Sequence, residues 1–230
     1  MFNTKKRPGR TRKALETRAR IRESALRLFQ KNGFSETTMR QVASSAGVAA
    51  GAAYYYFPSK EALVMDFYID LRRRVDSVAR AGMAGLRSLE DRLQALFRSS
   101  FAELGPHRRV FAALLRIAAD PKSPLSPFGA ATRPLRDESI ALFQEALEGS
   151  DVRVPAELRS NLPRLLWLFQ MGIILFWVHD DSPGQSRTRM LTERSVGLIS
   201  HLIRLSGSHA AAPLRESALE ILTAVGGTLF

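Results

Sequence analysis

Residues 33–59 contain two short helical stretches joined by a turn, and this pattern constrains the fold more than any other. Thr38 is followed three residues later by Gln41, the capping-box spacing that begins a helix. Gly47 supplies the positive φ that a tight turn requires, and Ala43 is small where the two helices must cross. The residues expected to fill the angle between the helices are Val42, Ala46, Val48, Ala53 and Tyr56. The pattern predicts a helix-turn-helix, with its first helix over Met39–Ala46 and its second ending near Tyr56.

The rest of the chain shows helical periodicity interrupted by glycine and proline. Apolar residues recur at helical spacing, no stretch alternates as a strand would, and no internal repeat is present. We therefore expect an all-α protein of about nine to ten helices. The other predicted helices are Glu16–Asn32, Lys60–Ala81, Ser88–Leu104, His107–Ala119, Arg133–Glu148, Ala156–Val178, Arg187–Leu205 and Pro213–Ala224. Gly33 is expected in a left-handed position after the first helix, and the three prolines of "DPKSPLSPFG" predict a loop.

Positive charge is concentrated at the start of the chain. The formal net charge is +12, and residues 1–60 hold 13 Lys and Arg against three Glu, which leaves +2 for the remaining residues. Such asymmetry indicates a polyanionic partner for the first quarter of the chain, namely nucleic acid or an anionic membrane surface.

Catalysis finds little support in the sequence. The chain has no cysteine, which excludes disulfides, thiolate nucleophiles and sulfur-ligated metals. It lacks GxxxxGK[ST], HExxH and GxSxG motifs. "HDD" at 179–181 resembles a metal-ligand group, but adjacent helical residues do not share a face, so we expect it to end a helix before Ser182. We expect neither an enzyme nor a cofactor nor a metal site.

No membrane segment is expected either. The basic start "MFNTKKRPGRTRK" is not followed by the apolar stretch of a secretory signal. The longest apolar run, Leu165–Val178, falls short of the roughly 20 residues that cross a bilayer. We interpret it as a helix buried in protein, and we expect a cytoplasmic protein with no membrane partner.

The stretch "ALRLFQKNGFSETTMRQVASSAGVAAGAAYYYFPSKEALV" resembles the DNA-binding domain of the TetR family of bacterial transcriptional regulators. The shared pattern is "A..LF...GF..TT...VA..AGV..G..Y.YF.SKE.L". The resemblance covers residues 14–74, which would form the DNA-binding domain and run into a long connecting helix. Residues 1–13 would be a basic arm, and residues 75–230 a helical effector-binding and dimerisation domain.

The resemblance implies a role for individual residues in contact with DNA. Thr38, Tyr54, Tyr56 and Lys60 would contact phosphates, which fix register without reading sequence. Base edges would be contacted by Arg40, Ala49, Ala50, Gly51 and Tyr55.

Two residues depart from the family pattern. The residue after "GV" is commonly a capping Ser or Thr and is Ala49 here, a loss that typically costs about 1 kcal/mol. The next position is often polar and is Ala50 here. Readout would then depend on apolar contact with thymine methyls and on Arg40 pairing with guanine. The arm either contacts the minor groove or is a disordered solubilising tail.

In the C-terminal part, the helices Ala156–Val178 and Arg187–Leu205 are the favoured dimer interface, because the family forms a four-helix bundle from its last two long helices. "LLWLFQMGIILFWV" is apolar on nearly all sides, so it is either the centre of the monomer core or also part of a subunit interface. Candidate effector-pocket residues are Phe101, Phe111, Arg116, Trp167, Gln170 and Trp177, although each aromatic is individually expected to be ordinary core. Arg116 would meet an anionic ligand, pair with an acidic neighbour or extend to solvent.

The resemblance implies a homodimeric regulator, a repressor, that binds a palindromic operator in double-stranded DNA. A small apolar or amphipathic effector would release it. Two alternatives remain open: an architectural DNA-binding protein without a ligand, and a membrane-surface protein.

Overall fold

The computed structural model describes residues 11–207 together with Pro213, Glu216, Ser217 and Glu220. Residues 11–207 form nine α-helices and no strand, which confirms the all-α prediction. The helices are α1 Arg12–Asn32, α2 Met39–Ser45, α3 Ala50–Tyr56, α4 Lys60–Met83, α5 Leu89–Leu104, α6 Arg108–Ala118, α7 Arg133–Glu148, α8 Leu162–His179 and α9 Ser186–Ser206. Four residues of the predicted helix over Pro213–Ala224, namely Pro213, Glu216, Ser217 and Glu220, are helical, whereas the rest of that prediction and most of the basic arm lie outside the described residues.

Side-chain caps set the bounds of α1 and α2. α1 begins four residues earlier than predicted because the hydroxyl of Thr11 accepts from the amide of Ala14 at 3.3 Å. It ends at Gly33, whose φ of 88° and ψ of 158° are extended rather than left-handed helical, a conformation restricted to glycine. The capping box is confirmed: Thr38 Oγ1 accepts from the Gln41 amide at 3.2 Å, and Gln41 Oε1 accepts from the Thr38 amide at 2.7 Å.

The turn between α2 and α3 has the predicted geometry. Gly47 has a φ of 61°, and the amide of Val48 donates to the carbonyl of Ala43 at 3.0 Å. The residues predicted to fill the angle do so, because Val42, Ala46 and Ala53 are buried with Ala43, whereas Val48 and Tyr56 are partly buried against the same core. The helix-turn-helix prediction is confirmed.

α4 connects the helix-turn-helix to the rest of the chain without a break. Ser59 caps it by accepting from the Ala62 amide at 3.2 Å, and it continues to Met83. One apolar core extends from Ile21 and Phe29 of α1 through Phe67 of α4 to Leu114 of α6 and Trp177 of α8. The predicted boundary after residue 74 lies inside α4, so the division into two domains stays a prediction.

A second core forms among α5, α7, α8 and α9, and Arg92 fixes its edge. The guanidinium of Arg92 donates to the carbonyls of Met83 and Leu86 after α4, and to those of Glu145 and Ala146 in the last turn of α7, at 2.8–3.1 Å. Burial lowers the pKa of this group, and Arg87 lowers it further. One side chain thus satisfies carbonyls at the ends of two helices that would otherwise lack partners.

α8 differs from its prediction at both ends. Residues Ala156–Leu158 form a separate 3-10 turn, and α8 begins only at Leu162, with a proline in its first turn. α8 ends at His179, so HDD does terminate a helix as predicted. The carboxylate of Asp180 accepts from the amides and hydroxyls of Ser182 and Thr188 at 2.6–3.0 Å, and it thereby caps the start of α9.

α8 is less buried than predicted. Within the described residues it is the one helix long and apolar enough to cross a membrane, with a mean hydropathy of 1.4, and 39% of it is buried. Leu165, Leu175 and Phe176 are exposed. α8 is thus a core helix on one side only, and its role in a subunit interface stays a prediction.

Candidate nucleic-acid interface and internal cavity

α3 separates its side chains into a buried face and an exposed face. Ala53 is fully buried against α2, whereas Ala50, Gly51, Tyr54 and Tyr55 are exposed. These four residues lie at i, i+1, i+4 and i+5, the spacing of a single helical face. The exposed groups are therefore one methyl, a glycine backbone and two phenol rings.

The start of α3 has no side-chain cap. Ala49 occupies the capping position, is exposed, and offers no side-chain acceptor to the first amides of the helix. Tyr56 is only partly exposed, and its ring meets that of Tyr55 edge-on at 5.4 Å between centroids. Tyr56 therefore contributes to packing as well as to the outer face.

α2 places Arg40 beside this face. Arg40 is exposed, and it has no hydrogen bond or ion pair with any other described residue. Thr38 is also exposed, with its hydroxyl in the capping box. The guanidinium of Arg40 is therefore available to a partner outside the chain.

Lys60 is engaged inside the protein. Its ammonium donates to the carbonyls of Phe34 and Ser35 at 2.7 and 3.1 Å and lies 4.6 Å from the centre of the Phe34 ring. It holds the start of α4 against the α1–α2 turn, and one of its three N–H donors remains for a phosphate.

Several arginines of α1 pair with α4 rather than facing outward. Arg18 and Arg22 bind Asp66 at 2.6 and 3.2 Å, and Arg22 also binds Asp70 at 2.6 Å. Residues 14–74 hold ten Lys and Arg against six Asp and Glu, whereas residues 1–13 hold six against none. More than half of the excess positive charge in the first quarter belongs to the arm.

A cavity of about 530 Å³ lies in the C-terminal part, a volume typical of small-molecule sites. α4, α6, α7 and α8 line it, together with residues 125–132 of the proline-rich loop. Among the candidate effector residues, Phe111, Trp167 and Gln170 line it. Gln170 donates to Ser100 Oγ at 3.2 Å, so this amide is already partnered.

The other three candidates do not line the cavity. Phe101 and Trp177 stack on one another at 5.6 Å between ring centres, inside the core beside Phe111. Arg116 is exposed on α6, because cavity residues Phe111, Leu115 and Ala118 occupy a different face of that helix.

The charged residues that do line the cavity are Arg72 and Arg136, and neither was among the candidates. A signal for Arg136 exists in the sequence: it lies in phase with the apolar stripe of α7, which continues through Ser139, Leu142, Phe143 and Ala146. Arg72 adjoins the buried Leu71 and carries no comparable signal.

Comparisons with known proteins agree with this architecture. The family model "Tetracyclin repressor-like, C-terminal domain" matches residues 92–219, more than half of the chain, and "Bacterial regulatory proteins, tetR family" matches residues 21–66. The curated relatives match this chain over short segments only. The transcriptional regulator TtgR of Pseudomonas putida is 44% identical over 68 residues, 30% of this chain and 32% of the relative. AcrR of Shigella flexneri is 42% identical over 55 residues, 24% and 26% of the two chains.

Solved structures extend the likeness to the whole fold. A TetR regulator from Nitrosomonas europaea has a TM-score of 0.61 at 17% identity, over 80% of this chain and 97% of that one. The fatty acid degradation regulator FadR from Bacillus halodurans has the same score and identity, over 83% and 96%. In TtgR and AcrR the matched segments span between about a quarter and a third of the protein, so the assignment depends on the two family models. The chain belongs to the TetR family of DNA-binding bacterial transcriptional regulators.

Proposed function

We propose that the protein is a cytoplasmic homodimeric repressor that binds a palindromic operator and is released by a small apolar or amphipathic effector. The observation that carries the proposal is the outer face of α2 and α3. Seven of the nine residues expected to contact DNA are exposed there, whereas the opposite side of the same helices is buried.

Base readout is assigned to Arg40 above all. α3 exposes no amide, guanidinium or carboxylate, so it has no side chain that pairs with a base in bidentate fashion. Arg40 has such a side chain and no internal partner. Tyr54 and the Thr38 hydroxyl are assigned to phosphates, with contributions from Tyr56 and the remaining donor of Lys60.

The dimer interface is assigned to the exposed faces of α8 and α9. Met190, Leu198, Leu202 and Leu205 are each more than half exposed, and their spacing of eight, four and three residues places them on one stripe of α9. α8 packs beside α9 and adds its own exposed apolar side chains. A contiguous apolar surface of this kind is typical of a protein interface, and a two-fold dimer matches a palindrome.

Coupling between effector and DNA is assigned to α4 and α6. Both helices line the cavity, and both pack against α1. Phe67 and Tyr68 of α4 contact Phe111 of α6 at 6.4 and 5.8 Å between ring centres. An effector that binds better when these helices are displaced would move the helix-turn-helix units of a dimer and lower operator affinity.

The first test is a selection from randomised DNA with the full chain at fixed salt. We expect a two-fold symmetric sequence. An affinity that barely distinguishes the selected DNA from random DNA would instead indicate an architectural DNA-binding protein.

Variants of Arg40 then test the readout by fluorescence anisotropy. Arg40→Ala should weaken operator binding by about 1–3 kcal/mol per contacted position and leave random DNA nearly unaffected. Arg40→Lys keeps the positive charge but not the planar pair of guanidinium donors, so it should lose most of the discrimination between operator and random DNA. Arg73→Ala, an exposed arginine of α4, is the charge-matched control. Equal losses on both DNAs would assign Arg40 to a phosphate.

The dimer is tested with Leu198→Glu and Leu202→Glu together. Buried carboxylates at a two-fold interface are destabilising because each faces like charge in an apolar setting. We expect a monomer by analytical ultracentrifugation and loss of palindrome binding. A dimer that survives both substitutions would move the interface elsewhere.

A further inference from the structure

We infer that the cavity takes an amphipathic organic carboxylate, whose acid group binds Arg136 beside Arg72 and whose apolar body lies against α6 and α8. This inference rests on the proposed effector-binding function and names the chemical class of the effector. It places the recognising cation on α7 and α4, not at Arg116.

Arg136 is a buried cation without an anionic partner. It is 7% exposed, and no Asp or Glu of the described chain lies within ion-pair distance of it. Its Nη1 donates to the carbonyls of Pro127 and Gly129 at 3.0 and 3.4 Å, whereas its Nε is buried and has no hydrogen-bond partner among the described residues. A buried guanidinium without a counter-charge is costly, and because Arg136 lines the cavity, an anion bound there balances its charge.

Arg72 is the second arginine that lines the cavity. It forms an ion pair with Asp76 one turn along α4. Its Nε is buried and has no hydrogen-bond partner within the part of the chain that the structure describes. Because Asp76 already balances Arg72, Arg136 supplies the uncompensated positive charge, and the site fits a monoanion better than a dianion.

The rest of the lining defines the ligand body. Besides the two arginines, the lining residues include no charged group. Phe111 and Leu115 of α6 contribute apolar walls, as do Trp167 and Met171 of α8. A ligand that satisfies this lining therefore joins one small anionic group to an apolar body, which is the composition of an amphipathic carboxylate.

A structural role for Arg136 is the alternative. Its two carbonyl bonds hold the loop at 127–129 against α7, and this alone explains a buried arginine. It does not account for the missing counter-charge of a cation that is 7% exposed and lines a cavity. The two roles differ in one measurable property, the preference of the cavity for an acid over the matching alcohol.

Calorimetric titration of the full chain at pH 7, without DNA, measures that preference. The probes are decanoate against 1-decanol and 2-naphthoate against 2-naphthol, two pairs that share a body and differ in charge. In at least one pair the acid should bind at least about tenfold more tightly, as expected for a charge-assisted contact. Arg136→Met should abolish this preference and leave the alcohol's affinity within about threefold. Arg136→Lys should keep part of it, and Arg116→Met, outside the cavity, all of it.

Three results would overturn the assignment. Neither acid binds more tightly than its alcohol, or the preference for the acid persists in Arg136→Met, or Arg116→Met loses that preference as fully as Arg136→Met does. Circular dichroism establishes whether each variant is folded. If Arg136→Met does not fold, Arg136→Lys serves as the test. Operator release is measured separately by anisotropy. If an acid binds selectively but releases no DNA, the proposed effector response is refuted and the carboxylate site is retained. If only an alcohol releases DNA, the effector response is retained and the carboxylate site is refuted.

Discussion

Substituting Ala49 with serine should stabilise the protein, because this position lacks the cap that four other helices have. Thr11, Thr38, Ser59 and Ser88 each accept a hydrogen bond from an amide of the helix that follows. Ala49 precedes α3 without one. Its φ and ψ of −63° and 146° closely match those of Ser88, −62° and 129°. A serine hydroxyl at residue 49 therefore reaches its acceptor position without any change of backbone.

The magnitude follows from what the cap would satisfy. Replacing Ala with Ser at a helix N-cap is worth about 0.5–2 kcal/mol. The lower half of that range applies here, because the site is exposed and the Ala52 amide already lies 3.0 Å from the carbonyl of Ala49. A gain of about 0.5–1 kcal/mol per protomer corresponds to a rise in Tm of roughly 1–4 °C for a chain of this size.

Differential scanning calorimetry without DNA measures the effect, and Ala50→Ser is the matched control. Ala50 is also exposed and is the first residue inside α3, where a hydroxyl does not cap. Hydrogen exchange should slow at the amides of Gly51 and Ala52 in Ala49→Ser only. If both variants shift Tm equally, or if these amides exchange as fast as in the wild type, the capping argument is wrong.

Three further predictions concern stability and charge. Arg92→Met should lower the free energy of unfolding by about 3 kcal/mol, because it leaves buried carbonyls of α4 and α7 without donors. Arg87→Met, at an exposed arginine, should change this free energy little. Similar denaturation midpoints for the two variants would contradict the role assigned to Arg92. Burial opposes ionisation of Asp180, but the hydrogen bonds from Ser182 and Thr188 prevail and lower the pKa of its carboxyl group. The ionised carboxylate therefore stabilises the fold above its unfolded pKa of about 4, and this stabilisation is lost as the pH falls below that value. Tm should therefore fall more steeply below pH 4 in the wild type than in Asp180→Asn, whereas the neighbouring Asp181→Asn should follow the wild type. Deleting residues 1–10 removes four Lys and Arg. If the arm binds phosphates, the plot of the logarithm of the DNA association constant against the logarithm of the salt concentration should become less steep by up to about 3.6 per protomer. An unchanged slope would assign the arm to solubility.

The helix-turn-helix could be predicted from sequence because each of its determinants is local. The capping box, the positive φ at Gly47 and the small residue Ala43 act within a few residues of their own positions. The bounds of α2 and the end of α3 consequently agree with the structure to within one residue. The start of α1 was missed because Thr11 lies within a run of basic residues that looks like a flexible arm, and one hydroxyl was enough to begin the helix there.

The cavity could not be predicted in the same way, because it depends on which face each helix turns toward its neighbours. Arg116 looked like the ligand-binding cation because it stands alone in an apolar stretch, yet that stretch belongs to a half-exposed helix and Arg116 faces solvent. Arg136 was not among the candidates, because the charged residues beside it in α7 hide its phase with the apolar stripe of that helix. Only the packing of α7 against α8 and α4 makes Arg136 buried.

The same distinction explains the charge count. Residues 1–60 have a net charge of +10, and extending the sum to residue 74 leaves it at +10, because residues 61–74 hold three Arg against three Asp and Glu. The fold places Asp66 and Asp70 against Arg18 and Arg22 of α1, so part of this positive charge holds α1 to α4. A charge count along the sequence indicates a polyanionic partner for a segment, but it does not identify which of the charged side chains face that partner.

The composition of α3 limits how much sequence discrimination the protein can obtain from direct contacts. A good bidentate contact contributes about 1–3 kcal/mol, and the DNA face offers one candidate, Arg40, in each half of a dimer. Two such contacts give about 2–6 kcal/mol, against the roughly 4–10 kcal/mol that separates specific from non-specific binding in typical regulators. The remainder must come from thymine methyls packed against Ala50 and Tyr55, and from the shape of the DNA. The selected operator should therefore be most invariant at the base pair contacted by Arg40, with thymine-rich steps and tolerant positions beside it.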